Sequence, residues 1–246
     1  MTHSPQLFAY DSREELGRNA ARRAATTLRA AIETREHARL MLASAPSQYD
    51  TLRSLVMEPD IDWSKVEAFH MDEYVGLARN ASQGFGNWLQ ALVFDKIVEA
   101  TFRRIMVIDG RADICARSYQ DLMGESPFDL VLLGIGVNGH LAFNDPPADF
   151  GDPSACHVVE LDAASRQQQV DEGHFAAIDH VPSHAITVTI PRLLNAEEII
   201  ALVPGIEKRA AVRNTLLSPI DGNVPATALR THPRVSIYVD SASDPR

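Results

Sequence analysis

Cysteine is scarce in this 246-residue chain, with Cys115 and Cys156 the only two. Two thiols so far apart in sequence make neither a disulfide framework nor a thiolate metal site, and they read as ordinary buried thiols. Lysine is nearly as rare: Lys65, Lys96 and Lys208 are the only ones, and arginine supplies the other cations. With 23 basic against 33 acidic residues the formal charge is −10, which excludes a general nucleic-acid or anionic-membrane surface. An anionic ligand must therefore be held by a local cluster. No apolar run is long enough to cross a membrane, and the opening MTHSPQLFAYDSREE lacks the charged-then-apolar pattern of a secretion signal. A cytoplasmic protein is expected. H-E-x-x-H and paired-cysteine spacings are missing too, and no metal site is expected from the His70–Asp72 pair alone.

What is present points to an α/β chain. At 45% hydrophobic and this length, one large domain spanning residues 1–246 is expected. Ser12 and Glu15 form an S-x-x-E capping box ahead of an alanine- and arginine-rich helix running to about Thr34. Apolar stretches then alternate with helical patterns. Strands are expected at 38–43, 66–70, 105–108, 128–133, 157–160, 185–190, 199–203 and 235–239. Helices are expected near 47–58, 85–99, 112–123 and 206–217. The alternation predicts a mostly parallel, Rossmann-like sheet with helices on both faces.

The most informative stretch is FDLVLLGIGVNGHLAFNDPPADF, residues 128–150. Its apolar run is a buried strand ending in a glycine turn that carries Asn138, His140 and Asp145. Ligands collect past the carboxyl ends of such strands. Gly134, Gly136 and Gly139 also spell G-x-G-x-x-G, with Glu160 some twenty residues on, as a dinucleotide site would have. Pro146 and Pro147 argue against that site, because the long helix it requires could not run much past Asn144. Gly136 and Gly139 are instead expected to let backbone approach another small ligand. A carboxylate at Asp145 beside His140 would fix the imidazole's tautomer and stabilise its protonated form, as proton transfer requires.

Two further clusters carry polar chemistry. In FHMDEYVGL, residues 69–77, Asp72 and Glu73 follow a strand at the same sheet edge as His140. A carboxyl partly desolvated by Met71 and Tyr74 would have its pKa raised toward a value useful for proton shuttling, although adjacent acids on a loop are more often solvated or cap a helix. In LMLASAPSQYDTL, residues 40–52, a strand runs into a small polar turn. Free amides at the helix start, with Ser44, Ser47 and Gln48, could hold an anion such as phosphate; Ser47 as a plain amino-terminal cap is the alternative.

FHMDEYVGL resembles the F-N-M-D-E-Y-V-G-L motif of glucosamine-6-phosphate deaminases. LGIGVNGHLAFNDP resembles their G-[IV]-G-x-[DN]-G-H-x-[AG]-F-N-E-P motif, in the same order and at similar separation. AITVTIPRLLNAEEIIALVPGIEKRAAV and PATALRTHP extend the likeness over nearly the whole chain, within a superfamily that includes 6-phosphogluconolactonases. The resemblance implies that Asp72 moves a proton between C2 and C1 of the opened amino sugar. It implies that His140 opens the ring by passing a proton from O1 to O5, with Asn138 and Asp145 orienting and polarising it. Lys208, Glu73 and the two glycines fall among substrate contacts. The implied reaction joins aldose–ketose isomerisation to hydrolytic loss of ammonia, with a sugar phosphate as its small-molecule partner and without cofactor or metal. Family members often assemble into oligomers, so a homo-oligomer is compatible with the resemblance.

The departures from the family concern phosphate. Its G-G-T-P loop is replaced by Ala45, Pro46, Ser47 and Gln48, and the second arginine of its R-x-x-x-x-R-F segment falls on Asp171 when Arg166 is aligned with the first. Asp145 is one methylene shorter than the family's Glu. Either Ser44, Ser47, Gln48, Lys208 and Arg230 form a rearranged phosphate site, or the substrate carries its anionic group elsewhere. Two rival functions are a 6-phosphogluconolactonase-like hydrolase, with His140 activating water, and a non-catalytic sugar-phosphate sensor.

Overall fold

The computed structural model describes residues 2–171 and 173–246. In chain order its elements are β1 (Gln6–Tyr10), α1 (Arg13–Arg35), β2 (Ala38–Leu42), α2 (Tyr49–Leu55), β3 (Val66–His70), β4 (Asp72–Tyr74), α3 (Phe85–Leu89), β5 (Thr101–Arg103), α4 (Ala112–Met123), β6 (Leu130–Leu133), β7 (Cys156–Glu160), α5 (Ala163–Asp171), β8 (His184–Val188), α6 (Ile190–Leu194), β9 (Ile199–Leu202), α7 (Arg209–Leu217) and β10 (Val235–Asp240). Seven strands form one sheet in the order β1-β10-β9-β6-β2-β3-β5, parallel at every pairing. A small antiparallel sheet, β4-β8-β7, stands beside it.

Strands buried on both faces need apolar residues at successive positions, and alternate residues then serve different cores. Leu40, Leu42, Leu130 and Leu132 join one core with Ala20, Ala24 and Leu28 of α1. Met41, Val131 and Leu133 point the other way, into a core with Tyr119 of α4 and Val212 of α7. The alanine stripe of α1 lets that long helix lie close to the sheet. Its start is capped as the sequence indicates, with Ser12 Oγ accepting from the Glu15 amide at 3.1 Å. α1 also meets α2 closely, since a Cβ on Gly17 would lie 2.7 Å from the Asp50 Cβ.

The expected strand at 105–108 does not form. The edge strand is β5, which pairs with β3 through Glu67↔Thr101 and Phe69↔Arg103. Ile105 instead gives its amide to His70 Nε2 at 2.8 Å. The alternation of exposed Thr101 and Arg103 around Phe102 suits a half-solvated edge, and the apolar Ile105–Ile108 run masked it. β1, β4, α5 and α6 carry too little pattern to announce themselves. β1 is a mostly exposed edge strand, and the other three are short or polar.

The chain runs outward from β2 to β3 and β5 on one side, whereas β6, β9 and β10 lie on the other. Loops leaving β2 and β6 therefore diverge, and a crevice opens between them at the carboxyl edge, where ligands of doubly wound sheets bind.

Candidate active site

A cleft occupies that crevice. The loop after β2 contributes Ser44 and Ser47, the chain after β3 contributes Asp72, the turn after β6 contributes Gly136 and His140, and the segment after β9 contributes Lys208. Four neighbouring strands thus deliver these side chains to one place.

Asp72 owes its position to a change of sheet. β3 ends at His70, and Met71 links the two sheets, giving its amide to Leu42 and accepting from the Val188 amide. β4 opens at Asp72, paired with Thr187. The Asp72 side chain is buried (7% exposed) yet lines the cleft, and its pKa is pushed well above the carboxylate range by burial first and then by the neighbouring Glu73 charge. The same break separates the His70–Asp72 pair. His70 is locked in the core against Ile105 and Tyr119, and burial with the nearby Arg104 charge brings its pKa down to about 3. Among the described residues no three His, Cys, Asp or Glu side chains gather as metal ligands.

Strand alternation turns Glu73 away from Asp72. Its carboxylate accepts the amides of Tyr74, Phe85 and Gly86 at 3.1, 3.0 and 2.9 Å, closing the start of α3. Glu73 therefore does not line the cleft as its expected substrate contact requires; it fixes the segment carrying Phe85, which does.

His140 is held by its own turn. Its amide donates to Asn138 Oδ1 and its carbonyl accepts from Gly136 N, both at 3.0 Å. The imidazole Nδ1 lies 3.1 Å from Asp145 Oδ1, an off-axis contact that leaves Nε2 as the nitrogen away from the carboxylate. Asp145 also accepts from Asn138 Nδ2 at 3.0 Å and from Ser165 Oγ, 2.7 and 2.8 Å from its two oxygens. Burial alone would raise the Asp145 pKa, but the contacts with His140, Ser165 and Asn138 outweigh it and hold the group below the usual carboxylate value. The chain continues from this turn through an isolated Leu141–Asn144 bridge rather than a helix, as Pro146 and Pro147 foretell.

Gly136 lines the cleft and Gly139 does not, and each glycine has a reason within the protein. A Cβ on Gly136 would run into the His140 ring, so that position is empty to seat the imidazole. Gly139 has φ +87°, a left-handed conformation that side chains resist, and its carbonyl accepts from the Ala226 amide at 2.7 Å.

The remaining expected contacts divide. Ser44 and Ser47 line the cleft, while Gln48 is fully buried behind them and donates from Nε2 to Ser47 Oγ at 3.0 Å. Ser47 is not a helix cap: a short turn, Pro46–Gln48, precedes α2, and Ala45 stands at its start. Lys208 is buried and lines the cleft. Arg230 does not reach it; its guanidinium donates to the Ser218 carbonyl at 2.6 Å. Arg166 donates to the carbonyls of Ile178 and Val181, and Asp171 is exposed and accepts from Gln167, so neither lines the cleft.

Among the described residues, five polar ones reach the site without a sequence signal. Ser165 supports Asp145 from α5, whose next turn places Gln168 and Gln169 in the cleft wall; Arg13 and Glu207 line it from α1 and from the turn before α7. None lies in either motif, and only the packing of α1 and α5 against the crevice brings their residues in.

A buried carboxyl and a carboxylate-backed imidazole face one cleft at the carboxyl edge of the parallel sheet, an arrangement that can exchange protons with a bound ligand. Residues 11–237 match the model of the glucosamine-6-phosphate isomerases/6-phosphogluconolactonase family, and the chain belongs to that family. It is 34% identical over 221 residues to a glucosamine-6-phosphate deaminase of Staphylococcus epidermidis, covering 87% of this chain and 89% of the relative. It is 34% identical over 196 residues to that of Listeria monocytogenes, covering 78% and 80%. Among solved structures it is similar to a monomeric glucosamine-6-phosphate deaminase, with TM-score 0.83, 29% identity and coverage of 97% and 98%. A 6-phosphogluconolactonase from Shewanella baltica shares the fold, with TM-score 0.80 at 20% identity and 98% coverage of both chains. Among the described residues no helix is long and apolar enough to cross a membrane.

Proposed function

We propose that this protein converts an amino-sugar phosphate, glucosamine 6-phosphate or a close analogue, to the ketose phosphate with release of ammonia. The observation that carries the reading is that Asp72 and His140 line the same cleft, with Asp145 behind the imidazole.

The chemistry needs two proton carriers. With Nδ1 turned to Asp145, His140 offers Nε2 to the sugar and can move a proton from O1 to O5, opening the ring. Asp72, as carboxylate, takes the proton from C2 and returns it to C1, while the C2 ammonium gives one of its protons to O1, so that the C1 aldehyde becomes a hydroxymethyl group and C2 becomes an iminium. Water adds at C2, ammonia leaves, and substrate plus water equals ketose phosphate plus ammonia. Burial suits Asp72 to this task, because a raised pKa makes it a stronger base for a weakly acidic C–H. Deaminase relatives at 34% identity support the same reading. Lactone hydrolysis moves no carbon-bound proton and would leave the cleft-facing Asp72 without a task.

Incubation with glucosamine 6-phosphate should yield equal amounts of ammonia and fructose 6-phosphate, and Asp72→Asn should abolish both. Absence of ammonia from the wild type, with hydrolysis of 6-phosphogluconolactone in parallel, would replace the deaminase reading by the lactonase one.

A further inference from the structure

A phosphate dianion entering a protein of net charge −10 needs local cations, and among the described residues the cleft wall contains a lysine and an arginine. One is Lys208, already expected. The other is Arg13, the first residue of α1, inside the Ser12–Glu15 capping box but outside both motifs that carry the site. Arg166 is committed to backbone carbonyls and Arg230 lies elsewhere, so Arg13 is the guanidinium of this cleft.

Its placement follows from packing. β1 runs parallel to its neighbour β10, so α1 begins at the carboxyl edge of the sheet, beside the crevice. Gly17, one turn after Arg13 on the same helix face, admits α2 so closely that Asp50 stands beside both residues. Asp50 Oδ2 accepts from Arg13 Nε at 3.0 Å. That bond takes one of the five guanidinium N–H groups and orients the plane, while the two Nη groups have no protein partner among the described residues. The side chain is 42% exposed, so it is accessible to a ligand from solvent. Ser47 and Lys208 line the same cleft and complete a donor set for a tetrahedral anion.

We infer that Arg13, tethered by Asp50, binds the phosphate of the substrate together with Lys208 and Ser47, delivering from α1 the guanidinium that α5 does not supply. The inference rests on the sugar-phosphate reading above. It makes Arg13 a binding residue, one that holds substrate and product alike and leaves the proton transfers to Asp72 and His140.

The test combines steady-state kinetics on glucosamine 6-phosphate with calorimetric binding of fructose 6-phosphate. Arg13→Ala should raise KM and weaken fructose 6-phosphate binding about tenfold or more, the loss typical of a charge-assisted hydrogen bond, with kcat changed less than about threefold. Arg13→Lys should recover part of the affinity, and Arg18→Ala, whose side chain pairs with Glu14 instead, should behave as wild type. Binding by Arg13→Ala within twofold of wild type would overturn the inference. So would an equal loss in Asp50→Asn, because Arg13 would then act only by tying α1 to α2, and so would failure of the wild type to bind fructose 6-phosphate. Arg13-dependent binding without ammonia release would instead sink the deaminase reading and leave the anion site standing.

Discussion

Ser165 donates its hydroxyl to Asp145, with Oγ 2.7 and 2.8 Å from the two carboxylate oxygens, at a serine only 2% exposed. The carboxylate that faces His140 is thus anchored from α5 as well as by Asn138. Ser165→Ala should lower kcat about tenfold, the scale of one hydrogen bond to a charged group. The contact with His140 and the hydrogen bonds from Ser165 and Asn138 hold the Asp145 pKa down, so losing one raises it. Asp145 must be ionised to support the imidazole, and the acid limb of kcat/KM should therefore move to higher pH, with Ser165→Thr restoring the profile. An unmoved limb in the alanine variant would assign Ser165 to packing alone.

Seating the imidazole depends on the missing side chain of Gly136. In Gly136→Ala the new Cβ would displace the His140 ring, and a misplacement of about 1 Å costs roughly a hundredfold in rate. The expected result is a kcat fall of about that size with an unchanged far-ultraviolet dichroism spectrum. Retention of more than about a third of wild-type kcat would show that the ring is not fixed by this contact.

Asp72 should cost stability at the pH where it works. Its native pKa is raised, so between the unfolded value of about 3.9 and the native value the folded protein holds a proton that the unfolded chain has lost. Stability from this group is complete below the unfolded pKa and declines as pH rises through the native one. Asp72→Asn carries no such titration, and its melting temperature relative to wild type should increase steadily from pH 4 to pH 8. A constant difference across that range would contradict the buried, raised carboxyl.

Gly17 sits in a helix, where replacement by alanine ordinarily stabilises by about 1 kcal/mol. Here the added Cβ would lie 2.7 Å from the Asp50 Cβ and 3.0 Å from the Thr51 amide, and overpacking costs about 1–3 kcal/mol. Gly17→Ala should therefore show a net destabilisation of about 1 kcal/mol in urea unfolding. A gain in stability would mean that α1 and α2 can separate without penalty.

The chain's own pattern determined much of this protein. Continuous apolar runs such as Leu130–Leu133 cannot be satisfied on a half-exposed surface, and they foretold a parallel sheet covered on both faces. The Ser12 cap, the span of α4 and the span of β3 were legible because capping chemistry and periodicity are local. Asp72, Asn138, His140 and Asp145 were legible as a group because two dense motifs carry them. Tertiary structure decided the rest. Glu73 differs from Asp72 by one residue, yet strand alternation sends it to the start of α3, away from the cleft. Arg230 is spent on a carbonyl, Ser165 reaches Asp145 from twenty positions away, and Arg13 comes from a helix whose start is set by β1 at the far edge of the sheet. A motif records neighbours along the chain, whereas the partners of a buried carboxylate and the cations of a cleft are fixed by which helices pack over the crevice.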